Sequence, residues 1–528
     1  MSTSANTGMP MMGVSDLESN LKLLEPGNSN EQKLIGLMMI GLRLKNSEDD
    51  LPTLKRFCDR MDFKFLDKML TAKEDVVHPD TEVGPEGIRG IACDILYYLS
   101  RHRDLIIRKE LVDRLPAMIK VVSPTDETEN TKKIIEIMAK MAVYPETRWA
   151  VTNVDLVMAM FDYIYAGFDR KNTDKAHEYA EHIFRVAPIS IYDGYEQDPF
   201  SVQKFTKDWV PKIMGKMAEP FSNVNEKHKP ELLKMINNTM HCLPEEYMIQ
   251  NARDCPNETY HWSRALKSGL LQILSTSTKQ EQETRDEALI ANGLLAQRMG
   301  MTWMFRSSWP VTKVFPKKRT TPASLVSSME MLGLSDKEMD KKYTALVLQL
   351  TCVELRMLMD ELGNQITAPP PPPKPKTTNP KEKKERNIRM EFLFPLALEV
   401  LEQTVSYLVS ISEDFEEVDK GVFDASGVLK VQEMLQPTFT AILDYVLDLQ
   451  TSKKGTPEIL CNHMEYLACL KSLSYWLMED DSLHARAVPL VKKLRQVLRH
   501  CKSKSSLLSR RYYLEPILER LDMVIANE

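Results

Sequence analysis

Apolar side chains recur at helical spacing along most of the chain. Between Ile88 and Leu99 they occupy positions 88, 91, 92, 95, 96 and 99, which is the spacing of a single helix face. Similar stripes lie at Ile134–Met141, Leu156–Tyr163, Leu266–Leu274, Ala288–Ala296, Ala345–Met359, Leu393–Val409 and Val428–Leu449. Strand-like alternation of apolar and polar residues is rare, so the pattern predicts an all-α protein.

One segment of the helical pattern is repeated. When residues 95–122 are shifted by 42 positions onto 137–164, Ile95 meets Ile137, and Val-Asp and Ala-Met pairs coincide. Each copy reads as a helix, a short polar corner and a second helix. The period lies in the armadillo/HEAT range, although chance similarity between two helices would give the same alignment. We therefore predict an armadillo/HEAT-like helical-repeat solenoid, whose repeats stack on their neighbours.

The pattern is broken once, at Thr367–Arg386, which carries seven prolines and six Lys or Arg residues. Proline removes helix hydrogen bonds and the charges oppose burial, which indicates a linker. We predict a disordered N-terminus at 1–15, N-terminal armadillo-like repeats at 16–362, a Pro/Lys-rich linker at 363–387, and C-terminal helical repeats at 388–528.

Composition narrows the class of protein. The net charge of −6 gives no global attraction to nucleic acid, so nucleic acid is not an expected partner. The eight cysteines are scattered without a C-x-x-C, which indicates buried free thiols in a reducing compartment.

Residues 1–14 lack the pattern of a signal peptide. The most apolar stretch, Tyr343–Leu362, is interrupted by charges, so we predict a buried helix, no transmembrane segment and a cytoplasmic location.

Motifs for catalysis or metal binding do not emerge. The chain has no phosphate-binding glycine loop of either common type. His177 and His182 are five residues apart, whereas zinc-binding histidines on a helix share a face at i and i+4. Asp419–Gly427 lacks the order of a calcium loop. We predict no enzymatic activity, no catalytic residue, no cofactor and no metal.

The clearest charge feature is a basic run near the C-terminus. Arg486–Arg511 holds nine Lys or Arg residues and no acidic residue. On a helix, four of them share one face opposite Val491, Leu494, Leu498 and Cys501. These four form the candidate site for an anionic partner, here named the basic strip: Lys492, Arg495, Arg499 and Lys502. The alternative is an ordinary solvated face.

Three segments resemble those of a known family. Phe57–Asp75, Tyr343–Glu361 and Ser472–Asp481 are similar to helical segments of the neurochondrin family, and the resemblance extends over most of Leu17–Arg499. It implies an armadillo-like cytosolic protein, prominent in neurons, which regulates receptor and kinase signalling and neurite outgrowth by direct binding. It implies no catalytic residues.

Two functions follow as hypotheses. The first is a non-enzymatic cytosolic protein-binding scaffold with receptor tails and signalling proteins as partners, enriched in neuronal processes. The second is a peripheral protein of anionic membranes, or of nucleic acid, acting through the basic C-terminal helices. The second predicts affinity that falls steeply with salt, whereas an apolar groove predicts a weak salt dependence.

Overall fold

The computed structural model describes residues 14–46, 51–72, 84–124, 128–170, 174–223, 225–244, 248–249, 253–275, 282–305, 336–367, 389–413 and 422–525. Every regular element within these ranges is a helix, and none is a strand. The predicted all-α helical-repeat fold is therefore confirmed. Of the predicted disordered N-terminus, residues 1–13 lie outside the described ranges, and a helix begins at Val14. Most of the predicted linker, residues 368–387, also lies outside them, whereas its first five residues, 363–367, continue a helix instead.

The chain forms two compact units, Met1–Gln203 and Lys204–Glu528, here called unit 1 and unit 2. The longer helices of unit 1 are α1 (Val14–Lys22), α2 (Asn30–Asn46), α3 (Leu51–Arg60), α4 (Phe63–Leu70), α5 (Pro85–Leu99), α6 (Glu129–Val143), α7 (Val154–Gly167) and α8 (Lys175–Gln197). Shorter helical turns lie at Arg103–Ile106, Lys109–Val112, Leu115–Ile119, Pro145–Arg148 and Trp149–Thr152.

The boundary between the units falls inside the next helix, α9 (Pro199–Phe221). The helices that follow are α10 (Lys229–Cys242), α11 (Pro256–Ser275), α12 (Gln282–Met299), α13 (Asp336–Thr367), α14 (Phe394–Glu413), α15 (Ala425–Thr451), α16 (Met464–Glu479), α17 (His484–Lys502) and α18 (Leu508–Ile525). Shorter turns lie at Thr302–Phe305, Arg389–Leu393, Pro457–Leu460, Asp481–Leu483 and Ser505–Leu507.

Side-chain caps fix where several helices begin. The Oδ1 atom of Asn153 accepts hydrogen bonds from the amides of Asp155 and Leu156, at 3.0 and 3.2 Å, and so starts α7. Asp174 caps α8 and Asp424 caps α15 in the same way. Each cap satisfies amide groups that have no partner inside the helix.

The two predicted repeat copies lie side by side in unit 1. Their first helices, α5 and α6, pack together, and α6 packs in turn against α8. The second helix of the first copy is divided into three short turns, whereas the second copy has two short turns, Pro145–Arg148 and Trp149–Thr152, followed by the longer α7. Pro116 lies at the start of the last short turn of the first copy, where a missing amide hydrogen is tolerated.

Unit 2 consists of two layers formed by alternate helices. One layer runs through α10, α12, α14, α16 and α18, and each of these helices packs against the next. The other layer runs through α11, α13, α15 and α17. Each helix thus buries its apolar stripe against the opposite layer and against neighbours two places along the chain, as in repeat arrays.

Polar contacts in both units join residues about one repeat apart. The separation along the chain is 43 residues for Arg103 with Glu146, 49 for Lys55 with Asp104, 49 for Lys234 with Glu283, 50 for Asn237 with Glu287, and 46 for Lys504 with Glu458. These separations of 43 to 50 residues are all slightly longer than the predicted period of 42 residues. The recurrence shows that neighbouring repeats make the long-range contacts.

Most of the helix-associated prolines lie in the first turn of a helix. Pro145, Pro256 and Pro457 are the first residues of their helices, and Pro230 is the second residue of α10. Pro188 is different, because it lies buried inside α8. Burial of the flanking Ala187 and Ile191 keeps this stretch helical, which offsets the hydrogen bond that proline removes.

The helices on either side of the predicted linker pack against each other. Helix α13, which ends at Thr367, contacts both α14 and α15, which follow the linker. The predicted buried helix at Tyr343–Leu362 is part of α13. Both flanks of the linker therefore belong to unit 2, and the boundary between compact units lies much earlier in the chain.

A buried ion pair holds α13 against α11. Nζ of Lys267 lies 3.1 Å from Oδ1 of Asp340, and both side chains are almost fully buried. Nζ of Lys267 also lies 5.3 Å from the ring centre of Trp303. Burial lowers the pKa of Lys267, and the carboxylate of Asp340 opposes this shift. Removal of either partner would leave a buried charge unpaired, which costs about 3–5 kcal/mol.

Limited trypsin digestion tests how the linker region relates to unit 2. We expect the first cut within Thr367–Arg386, because its lysines and prolines oppose burial and helix formation. The two products should co-elute on a sizing column, because α13 packs against α14 and α15. Separate elution under native conditions would contradict this packing.

Candidate protein-binding surfaces

The structure places the basic strip on the outer side of α17. Lys492, Arg495, Arg499 and Lys502 are exposed. The residues that directly precede these four in the chain lie on the adjacent face and are buried: Val491, Leu494, Leu498 and Cys501. The strip thus lies on one continuous face at the last helix pair of unit 2.

Two of the four strip cations are paired with the neighbouring helix α18. Nη2 of Arg495 lies 2.7 Å from Oδ1 of Asp522, and Nζ of Lys502 lies 3.1 Å from Oε1 of Glu515. Hydrogen bonds from Arg511 and Lys502 lower the pKa of Glu515, which therefore stays ionised. Among the described residues, no carboxylate lies within ion-pair distance of Lys492 or Arg499.

A concave surface lies at the start of α14 and α16, with a cavity volume of about 490 Å³. It is here named the apolar groove, and it is lined by Met390, Glu391, Phe394, Pro395, Met464, Glu465 and Ala468. The turn Arg389–Leu393 and the first turn of α16 supply its two sides. The Met464 side chain is 56% exposed, so a flexible apolar group is available to a partner.

The rim of the apolar groove is acidic. Glu391 is exposed, and no described cation lies within ion-pair distance of it. Oε2 of Glu465 lies 3.1 Å from Nδ1 of His463, and this hydrogen bond lowers the pKa of Glu465. Nδ1 of His463 also lies 3.4 Å from the amide of Tyr466, and one ring nitrogen can serve only one of these bonds at a time. The shorter contact favours the pair with Glu465.

The neurochondrin family model matches residues 13–506, which is nearly the whole chain. The chain belongs to the neurochondrin family.

A curated relative of this neurochondrin-family chain is a neurochondrin homolog from Drosophila melanogaster. The two are 19% identical over 474 residues, which cover 88% of this chain and 54% of the relative. The chain thus spans about half the length of that relative. The solved structure of a circular tandem repeat protein with a novel repeat topology is 12% identical in sequence to this chain. The match covers 97% of this chain and 98% of that protein, with a TM-score of 0.21.

Two lysines of this neurochondrin-family chain are buried and have lowered pKa values. Burial lowers the pKa of Lys229 to about 8, and its ammonium donates to the Phe221 carbonyl at 2.8 Å and to Oε1 of Gln272 at 2.5 Å. Lys267 is held by Asp340 in the pair described above. Both ammonium groups are used to join helices. Within the described ranges, no group of three or more His, Cys, Asp or Glu residues is arranged to hold a metal ion.

All eight cysteines are free thiols, and six of them are buried. Burial raises the pKa of Cys93 to about 12, so this thiol is protonated at neutral pH. The pKa values of Cys58 and Cys352 are raised for the same reason. A protonated, buried thiol is a poor nucleophile, and these residues act as part of the core.

One stretch, Arg389–Ile411, is apolar and long enough to cross a bilayer by length and composition. Half of its most apolar window is buried inside the structure. Its Glu402 accepts a hydrogen bond from the Ser472 hydroxyl at 2.5 Å and lies 2.6 Å from Nζ of Lys471. These are the contacts of a core helix that packs against α12 and α16.

The basic strip could be predicted from the sequence, whereas the apolar groove could not. The two sides of the groove are about 70 residues apart in the chain, and neither has a motif. The only usable signal was local, because Met390, Phe392 and Phe394 follow the charged linker directly. The ion-pair partners of Arg495 and Lys502 could not be predicted either, because they lie on α18, and the orientation of α18 against α17 does not follow from the sequence pattern.

The strip hypothesis can be tested with acidic lipid vesicles. A cation near an anionic membrane contributes about 1 kcal/mol, so the two unpaired strip cations contribute about 2 kcal/mol, too little for stable attachment. We expect no sedimentation of the chain with phosphatidylserine vesicles at physiological salt, as with neutral phosphatidylcholine vesicles. Sedimentation that is abolished by Lys492→Glu together with Arg499→Glu would instead support the membrane hypothesis.

Proposed function

We propose that this chain is a non-enzymatic protein-binding scaffold of the cytoplasm. In this proposal it is enriched in neuronal processes, where it regulates receptor and kinase signalling and neurite outgrowth by direct binding. Membership of the neurochondrin family supports the neuronal part of the proposal. Eight free cysteines support a reducing compartment.

The observation that carries the proposal is the apolar groove of unit 2. Its floor offers methionine, phenylalanine and proline side chains, and its rim offers the carboxylates of Glu391 and Glu465. Such a surface complements a partner segment with an apolar anchor flanked by Lys or Arg. Cytoplasmic segments next to a membrane span are enriched in Lys and Arg, so the tail of a membrane receptor suits this groove.

The alternative function has weaker structural support. A nucleic-acid or membrane surface requires several free cations on one face, since each phosphate contact contributes separately. In the basic strip, Arg495 and Lys502 are each within 3.1 Å of a carboxylate. The groove therefore supports protein binding better than the strip supports either alternative.

Two double variants, one at the groove and one at the far end of α16, test the groove. The test variant combines Glu391→Lys with Met464→Ala, which reverses one rim charge and removes an exposed floor side chain. The matched control combines Glu479→Lys with Met478→Ala, because both residues are exposed near the far end of α16. Each double variant changes one charge and truncates one methionine, so nonspecific effects are equal.

We expect the wild-type chain and the control to capture the same receptors or kinases from neuronal lysate. The groove variant should capture them at least tenfold less, since tenfold corresponds to about 1.4 kcal/mol of binding free energy. In neurons depleted of the endogenous protein, the wild-type chain and the control should restore neurite length, and the groove variant should not. Equal capture by both double variants, or rescue by both, would contradict the proposal.

A further inference from the structure

Unit 1 carries a cluster of large apolar side chains on its surface. Val143, Trp149, Ile189 and Tyr192 are 56%, 45%, 38% and 45% exposed. Val143 ends α6, and Trp149 begins the helical turn that follows. Ile189 and Tyr192 are three residues apart on α8, and so they share one face. Single exposed apolar residues are ordinary, but a group of four around common neighbours requires an explanation.

Arg148 connects the parts of this cluster. Its Nε donates to the Ala142 carbonyl at 3.3 Å, and its Nη2 donates to the Val143 carbonyl at 3.4 Å. Its Nη1 lies 3.5 Å from Oδ2 of Asp193, the residue after Tyr192. The turn Trp149–Thr152 also packs closely against α8. One guanidinium therefore holds the end of α6, the Trp149 turn and the second half of α8 together.

One arginine next to the cluster has no ion-pair partner in the part of the chain that the structure describes. Arg185 is exposed one turn before Ile189 on the same face of α8. Among the described residues, no carboxylate lies within ion-pair distance of Arg185. The pKa of the nearby His182 is lowered, first by its burial and then by the charges of Arg185 and Arg148, so its ring is neutral at pH 7. Arg148 is paired with Asp193, so Arg185 is the arginine of this surface that is left without a carboxylate partner among the described residues.

This surface, here named the aromatic patch, is defined by Val143, Arg148, Trp149, Arg185, Ile189 and Tyr192. Trp, Tyr and Arg are the residues that dominate binding energy at protein interfaces. Arg185 can hold a carboxylate with two parallel hydrogen bonds, while the apolar residues exclude water from that bond. We propose that the aromatic patch binds an acidic segment of a partner protein, with Asp or Glu at Arg185 and an apolar anchor against Trp149 and Tyr192.

The inference does not depend on the function proposed for the groove, because the patch lies in the other compact unit and prefers the opposite charge. The groove complements basic segments, whereas the patch complements acidic ones. A chain with both surfaces can hold two different partners. If binding at one surface is lost, binding at the other surface can therefore still be tested separately.

The test begins with a random library of displayed 16-residue peptides, selected on the full chain. We expect the selected peptides to be enriched in Asp and Glu and to carry an aromatic or large aliphatic residue. Affinities of individual synthetic peptides are then measured by fluorescence anisotropy. Arg185→Glu and Trp149→Ala should each weaken binding at least tenfold. Arg185→Lys should weaken it less, because lysine keeps the charge but loses the paired geometry.

The matched control is Lys175→Glu, which changes the same charge on the first turn of the same helix. It lies ten residues before Arg185, roughly 15 Å along the helix axis. This control, and the groove variant described above, should bind the selected peptides within twofold of the wild-type chain. Circular dichroism of every variant establishes that helix content is unchanged, and Arg185→Gln provides a milder substitution if Arg185→Glu fails to fold.

Several outcomes would overturn the inference. These are peptides without an excess of Asp and Glu, equal affinity for Arg185→Glu and the wild-type chain, or no selectable peptide. A concentration-dependent dimer in sedimentation that Tyr192→Ala abolishes would also overturn it, because the patch would then be an interface between two copies of the chain.

Discussion

The packing of each helix against the helix two places along the chain is the interaction on which the rest of the structure depends. In unit 2 it produces two layers. In unit 1 the equivalent packing is between the first helices of successive repeats, which are α5, α6 and α8. A single amphipathic helix pair cannot bury its apolar face, so each repeat is stabilised by its neighbours. For this reason polar contacts such as Arg103 with Glu146 recur at about one repeat of separation.

Helix α13 shows how this constraint determines the organisation of unit 2. It is 32 residues long and packs against α11 and α15 in its own layer and against α14 in the other. The buried pair of Lys267 with Asp340 fixes its beginning, and Glu354, buried near its middle, pairs with Arg285 and Arg389. Arg389 is the first described residue after the linker. The apolar groove starts at the very next residue, so the packing of α13 positions the groove wall.

Much of the fold could be predicted from the sequence because burial follows helical periodicity. The stripe of α17 identified Leu494 and Leu498 as buried, and the 42-residue similarity identified the repeat. The boundary at 203 and 204 could not be predicted, because α9 is continuous through it and its composition does not change there.

The candidate binding sites could not be predicted in full because they depend on contacts between residues that are far apart in the chain. Lys267 would ordinarily be placed on the surface, and its partner Asp340 is 73 residues away. The exposure of Lys492 and Arg499 followed from helical arithmetic, but the neutralisation of Arg495 required knowledge of α18. The groove and the aromatic patch each combine residues from separate helices, and no local pattern marks such combinations.

Simultaneous binding by the two surfaces is the central physical claim about function. It is tested most directly by calorimetric titration of the full chain with a captured basic receptor-tail peptide and a selected acidic peptide. The predicted result is one site for each peptide, with each affinity unchanged within twofold when the other peptide is saturating. Mutual competition, or loss of both sites in the groove variant, would contradict the existence of two separate binding surfaces.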